Sequence, residues 1–137
     1  MQMINKTIIL FLFFSTIFGC AILNFGESDK MEKKLRERVA GVYKAYKERN
    51  FEKFMDFEKS DYDKKRTKKE IIDDLKKSFP ILIDYNIKEI KITGDKAKVK
   101  VAVILILDDK RNLSEIFFDY WAFKDNDWYL LDFGKIQ

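Results

Sequence analysis

Histidine is absent from this chain of 137 residues, and cysteine and proline occur once each. Without histidine the usual zinc sites lose their commonest nitrogen ligand, and no imidazole is present to act as a general base. A single cysteine excludes an internal disulfide framework. With five glycines in all, no glycine-rich phosphate loop is present. The few serines have no histidine to activate them. What is present is a chain 47% hydrophobic and 36% charged. That balance is too apolar for a fully disordered chain and too charged for a multi-span membrane protein. The length suits one domain. Neither a metal nor a cofactor is expected, and any catalysis must come from carboxylates or tyrosines.

The first twenty residues read as an address. Lys6 precedes the apolar run Thr7-Ile8-Ile9-Leu10-Phe11-Leu12-Phe13-Phe14, and Ser15-Thr16-Ile17-Phe18-Gly19-Cys20 follows. A basic start, a short apolar core and a small residue make an export signal. Ile17, Gly19 and Cys20 resemble a bacterial lipobox, although Phe18 is bulkier than that motif usually holds. The resemblance implies cleavage between Gly19 and Cys20, with lipid on the Cys20 thiol. More than one acyl chain would then give stable membrane anchoring. The alternative is an uncut anchor, because residues 7–25 carry no charge and as a helix are long enough to span a bilayer. The expected organisation is a signal at 1–19, a lipidated tether at 20–28 and a single domain at 29–137, exported to the bacterial cell envelope.

The domain begins with helical periodicity. Asp29 and Glu32 form a capping box, and Met31, Leu35, Val39, Val42, Tyr43 and Tyr46 fall on one face. Gly41, costly inside a helix, predicts close packing there. Asn50 starts a short helix carrying Phe51, Phe54 and Phe57. Thr67 and Glu70 open a third helix, which Pro80 stops. From residue 81 the period becomes two, and four strands follow at 85–93, 96–107, 113–124 and 128–133, joined by hairpin signals. Helices followed by strands predict an α+β fold, with three N-terminal helices packed on one face of a curved four-stranded antiparallel meander.

The order of elements, with Thr93-Gly94-Asp95-Lys96-Ala97-Lys98-Val99-Lys100-Val101 and Lys124-Asp125-Asn126-Asp127-Trp128-Tyr129-Leu130, resembles the nuclear-transport-factor-two-like superfamily. Small bacterial lipoprotein domains of unknown function are its most similar members. The resemblance implies a cone-shaped α+β fold with a pocket between sheet and helices. Members include isomerases, cyclases, binding modules and dimerisation domains, so the likeness selects no function.

Simple registers counted from the turns set Thr93 opposite Lys96, Leu107 opposite Leu113 and Lys124 opposite Asp127. Asp119 then faces Asp132 beside Trp121. Two adjacent carboxylates raise one pKa. With Tyr43 or Tyr46 they form a candidate pocket for proton transfer, as in an isomerase or dehydratase. The opposite sheet face gathers Tyr85, Ile87, Ala102, Ile104, Ile116, Phe118, Tyr120, Leu131 and Phe133. Within it, Tyr85, Ile104, Ile116, Phe118 and Tyr120 form a candidate interface. A sheet apolar on both faces needs a second cover, which predicts a homodimer or an envelope protein partner. A small apolar ligand suits the pocket. The basic residues Lys64, Lys65, Arg66, Lys68 and Lys69 form a solvated turn and helix start, and nucleic acid is not an expected partner. The function expected is a non-catalytic binding or protein-interaction module at the membrane, with a carboxylate-based enzyme as the alternative.

Overall fold

The computed structural model describes residues 26–58 and 66–137. The signal, the Gly19–Cys20 junction and most of the tether lie outside the described residues, as does the connection at 59–65. The chain divides into two compact units between Lys33 and Lys34. In the first unit, residues 26–33 are helical. Because helix already runs at 26, Asp29 sits inside it and does not cap its start. Among the described residues no helix is long and apolar enough to cross a membrane.

The described part of this helix, α1, covers residues 26–47. Leu35, Val39, Val42 and Tyr43 are fully buried, and Tyr46 is 1% exposed. Their spacing of three and four is that of one helical face. Burying each such side chain contributes about 1.5–3 kcal/mol. The helix ends in a paired-carbonyl C-cap. Asn50 N–H donates to Ala45 O and Arg49 N–H to Tyr46 O, both at 2.9 Å. Arg49 adopts the left-handed conformation that this motif requires, with φ 56°.

The helical layer departs from expectation. The expected three helices packed on the sheet are not found; one helix of 22 residues is followed by a short one. The short helix, α2, is Phe51–Met55, capped by the Asn50 side chain. A further segment, α3, is Lys68–Ser78, opened by a reciprocal Thr67–Glu70 capping box. It lies beside α2 and adds little to the cover of the sheet. The physical reason is its sequence. KKEIIDDLKKS buries only Ile72, so its apolar stripe is too narrow to cover a sheet.

The strands are β1 (Ile81–Thr93), β2 (Lys96–Ile106), β3 (Asn112–Lys124) and β4 (Asp127–Lys135). They pair antiparallel in the order β1-β2-β3-β4. The β3–β4 turn has positive φ at both Asp125 and Asn126, the mirror-image turn whose twist suits a hairpin. The inner face of β2 and β3 carries Ala97, Val99, Val101, Val103, Leu105, Phe117, Asp119 and Trp121, all buried. Gly41 on α1 lets Phe57 approach closely, since a Cβ there would lie 2.7 Å from the ring. Leu130 N–H donates to Phe57 O at 2.8 Å, so this backbone runs along the outer edge of β4.

Register decides which side chains face inward. The first hairpin pairs Thr93 with Lys96 and Glu89 with Lys100, as counted from the turn. Bulges then fall between Ile87 and Glu89 and between Leu82 and Asp84. Each adds one residue to β1 and reverses which face its side chains take. The central hairpin pairs Leu105 with Leu113, two residues away from the simple expectation. A shift of two preserves every face. In the third hairpin Trp121 pairs with Leu130, but bulges beyond it set Asp132 opposite Tyr120.

Candidate functional site

The predicted carboxylate pair does not form. Asp132 is displaced by the β3–β4 bulge, its side chain is 46% exposed, and it pairs with Lys135 at 3.3 Å. Asp119 is instead the buried charged residue of the core, at 0% exposure. The bulge that removes Asp132 supplies a replacement. Gly134, with φ +66°, aims its N–H at Asp119 Oδ1 at 2.8 Å. Tyr43 on α1 donates its hydroxyl to Oδ2 at 2.8 Å.

Burial dominates the electrostatics of this group. It pushes the Asp119 carboxyl up from 3.8 to about 6, while the bonds from Gly134 and Tyr43 pull it down and the charge of Asp132 adds a smaller rise. Burial, then the charge and hydrogen bond of Asp119, hold the Tyr43 phenol far above its ordinary range. Burial also pushes Tyr46 up to about 12, against the lowering charge of Arg49. Tyr46 turns away from the carboxylate and donates to Pro80 O at 2.8 Å. Trp121 is fully buried on the same sheet face, and its indole N–H has no hydrogen-bond partner among the described residues.

Aromatic rings close the inner side. Phe133 lies 5.0 Å from Phe54, 5.2 Å from Tyr43, 5.8 Å from Tyr46 and 5.9 Å from Phe79, ring centre to ring centre. The four residues Tyr43, Tyr46, Trp121 and Asp119 therefore belong to a packed interior. Tyr43 keeps its proton and donates it in a hydrogen bond to Asp119, and both side chains are fully buried.

The outer sheet face is open. A groove of about 720 Å³ crosses it, lined by Ala102, Ile104, Ile116 and Phe118, with Asp84 and Asn86 on one side and Ile136 and Gln137 on another. Its size is that of small-molecule sites. Ile104 is 39% exposed and Ile136 66%. Three candidate interface residues, Ile104, Ile116 and Phe118, are thus brought together here. Tyr120 stands at the margin, where it accepts a hydrogen bond from Gln137 Nε2 at 3.0 Å.

Tyr85 does not join them as predicted. It borders the groove, but the β1 bulges turn its ring inward to stack on Tyr43 at 5.0 Å. Ile87 pairs with inward-facing Val101 for the same reason, and Phe133 is drawn inward by the bulge in β4. The residues that sequence reasoning missed are Gly134, Lys98 and Gln137. A glycine inside a strand pattern is a known sign of a bulge or a close backbone approach, and Gly134 is both. Among the described residues no group of three metal-ligating side chains gathers.

No family model matches the chain, and no curated protein matches it significantly. A solution structure of a SEC-C motif containing protein from Rhodopseudomonas palustris is similar at a TM-score of 0.56 and 9% identity, over 69% of this chain and 73% of that one. That likeness shows a shared fold and nothing more. An NTF2-like transpeptidase structure from Campylobacter jejuni aligns at a TM-score of 0.42 and 22% identity, over 69% of this chain and 95% of that one.

Proposed function

We propose that this chain is a non-catalytic binding module of the bacterial cell envelope, exported, cut after Gly19 and held at a membrane by lipid on Cys20. Its recognition surface in this proposal is the outer face of the sheet. One observation carries the reading. The open apolar groove lies on the outer face, whereas the titratable pair Asp119–Tyr43 is sealed in the core. Exposed contiguous apolar surface marks recognition, and a buried, fully bonded carboxylate serves architecture more readily than turnover. The nuclear-transport-factor-two-like reading of the fold belongs to the same proposal, as do a homodimer or an envelope protein as partners.

Two measurements test it. Cys20→Ala should move the exported protein out of the membrane fraction; unchanged retention would favour the uncut anchor. Native mass spectrometry of the full chain should reveal either a bound small molecule or a second protein. A bare monomer under all conditions would contradict a binding role.

An isomerase- or dehydratase-like enzyme is the second reading, favoured by the raised pKa of Asp119 beside Tyr43. It requires the core to open to a substrate. Solvent exchange of the Tyr43 hydroxyl on the timescale of global unfolding would exclude it.

A further inference from the structure

Lys98 stands out on the outer face. It pairs across the sheet with Tyr120, and its Nζ lies 4.5 Å from the Phe118 ring centre and 5.8 Å from that of Tyr120. Among the described residues its ammonium meets no carboxylate. Lys135 is paired with Asp132 at 3.3 Å, while Lys91 stands opposite Lys98 in β1 and Lys100 follows it on the same face of β2, so this end of the face is cationic. Lys98 donates instead to the side-chain amide oxygen of Gln137 at 3.2 Å, and the amide nitrogen of the same group donates to Tyr120 Oη.

This amide oxygen occupies the place a carboxylate would take. A carboxylate oxygen accepts from an ammonium more strongly than a neutral amide oxygen does. Its second oxygen can accept from the Tyr120 hydroxyl, which is able to donate as well as accept. Beside this polar end, Phe118 begins the apolar floor that continues through Ile116, Ala102 and Ile104. From the row of Lys98 to the row of Ile104 is six residues of strand, about 20 Å. The face therefore offers a cationic head position followed by a run long enough to hold an extended acyl chain of about twelve carbons.

We propose that the outer face binds a free single-chain fatty carboxylate, its head on Lys98 and Tyr120 just beyond the margin of the groove and its tail in the groove over Phe118, Ile116 and Ile104, with the Gln137 amide displaced. This rests on the binding-module reading and names its ligand. A second copy of the chain or a two-chain membrane lipid would use the same apolar surface, and the test separates them.

The full chain is placed in zwitterionic nanodiscs and exposed to a diazirine-bearing dodecanoate, and the crosslinked peptides are mapped by mass spectrometry. Crosslinks are expected on residues 102–118 and 136–137. Dodecanoate should compete at least about tenfold better than dodecanol or dodecyltrimethylammonium, which is the worth of one charge-assisted bond. Lys98→Gln should bring dodecanoate and dodecanol within about twofold of each other while keeping the crosslinked positions, and Ile104→Asp should remove the crosslinks. Equal competition by the cationic and anionic probes, or crosslinks confined to other residues, would overturn the proposal. Competition by nanodiscs of phosphatidylglycerol matching that of dodecanoate would reassign the surface to membrane lipid. A dimer that buries this face and excludes the probe would also overturn the fatty carboxylate, yet leave the binding-module reading standing. A bare monomer with no crosslink would sink both.

Discussion

Replacing Asp119 with asparagine isolates the effect of one buried charge. The folded carboxyl holds its proton up to about pH 6, whereas the unfolded value is 3.8. The folded state therefore binds the extra proton between these values, and its stability falls as pH rises through them. The contribution is fully present below 3.8 and lost above about 6. A shift of about two units corresponds to something on the order of 3 kcal/mol. Asparagine fits the same geometry. Its Oδ1 accepts from Gly134 N–H and its Nδ2 donates to the Tyr43 oxygen. Urea denaturation at half-unit steps from pH 4 to 7.5, followed by the fluorescence of buried Trp121 and Trp128, measures both proteins. The difference, wild type minus Asp119→Asn, should fall by roughly 2–3 kcal/mol as pH rises across the window, since every other group cancels. A difference that stays flat within about 0.5 kcal/mol, or rises with pH, would refute the burial argument.

Three further substitutions test the packing around this group. Tyr43→Phe should cost about 1–3 kcal/mol by leaving a buried acceptor short of a donor, and should move the Asp119 midpoint upward in the same titration. Gly41→Ala would gain about 1 kcal/mol of helix propensity in the open, but its Cβ would press on Phe57, so a net loss of about 1–3 kcal/mol is expected by thermal denaturation. Adding Phe57→Leu should recover part of that loss. Arg49 donates to Lys76 O at 2.6 Å and Phe79 O at 3.2 Å, closing the C-terminal end of α3. Arg49→Ala should therefore lower hydrogen-exchange protection in the last turn of α3 by about 1 kcal/mol and leave the β2 amides unchanged.

Much of this arrangement is legible in the sequence near the turns and fades away from them. Glu89 opposite Lys100 and Trp121 opposite Leu130 follow from counting outward from Gly94-Asp95 and Asp125-Asn126. Beyond those pairs the count fails because bulges add residues that alternation does not announce. The signal is nevertheless present. Inward residues of β1 run Leu82, Tyr85, Ile87, Ile90, and those of β4 run Trp128, Leu130, Phe133. Each step of three between inward residues marks a bulge, because an unbroken strand permits only even steps. Asp119 and Tyr43 were both identifiable as candidates, but their bond depends on how α1 sits over β3, a tertiary fact with no local pattern. The groove was half visible, through Ile104, Ile116 and Phe118, while Gln137 reaches it only because β4 bends at Gly134. The helical layer misled because α3 has the caps of a good helix but not the apolar width of a packing one.

The backbone at Phe57 and Glu58 gives the sheet unequal margins. Glu58 bridges to Leu130 in parallel, so the middle of the β4 edge is already occupied by the chain itself. Among the described residues, β1 is the margin left for an incoming strand, and its two bulges break the ladder it would offer. Association by strand addition must then use the same edge of both molecules. Two like edges meeting antiparallel close on a two-fold axis, so growth stops at a pair and cannot propagate into a fibre.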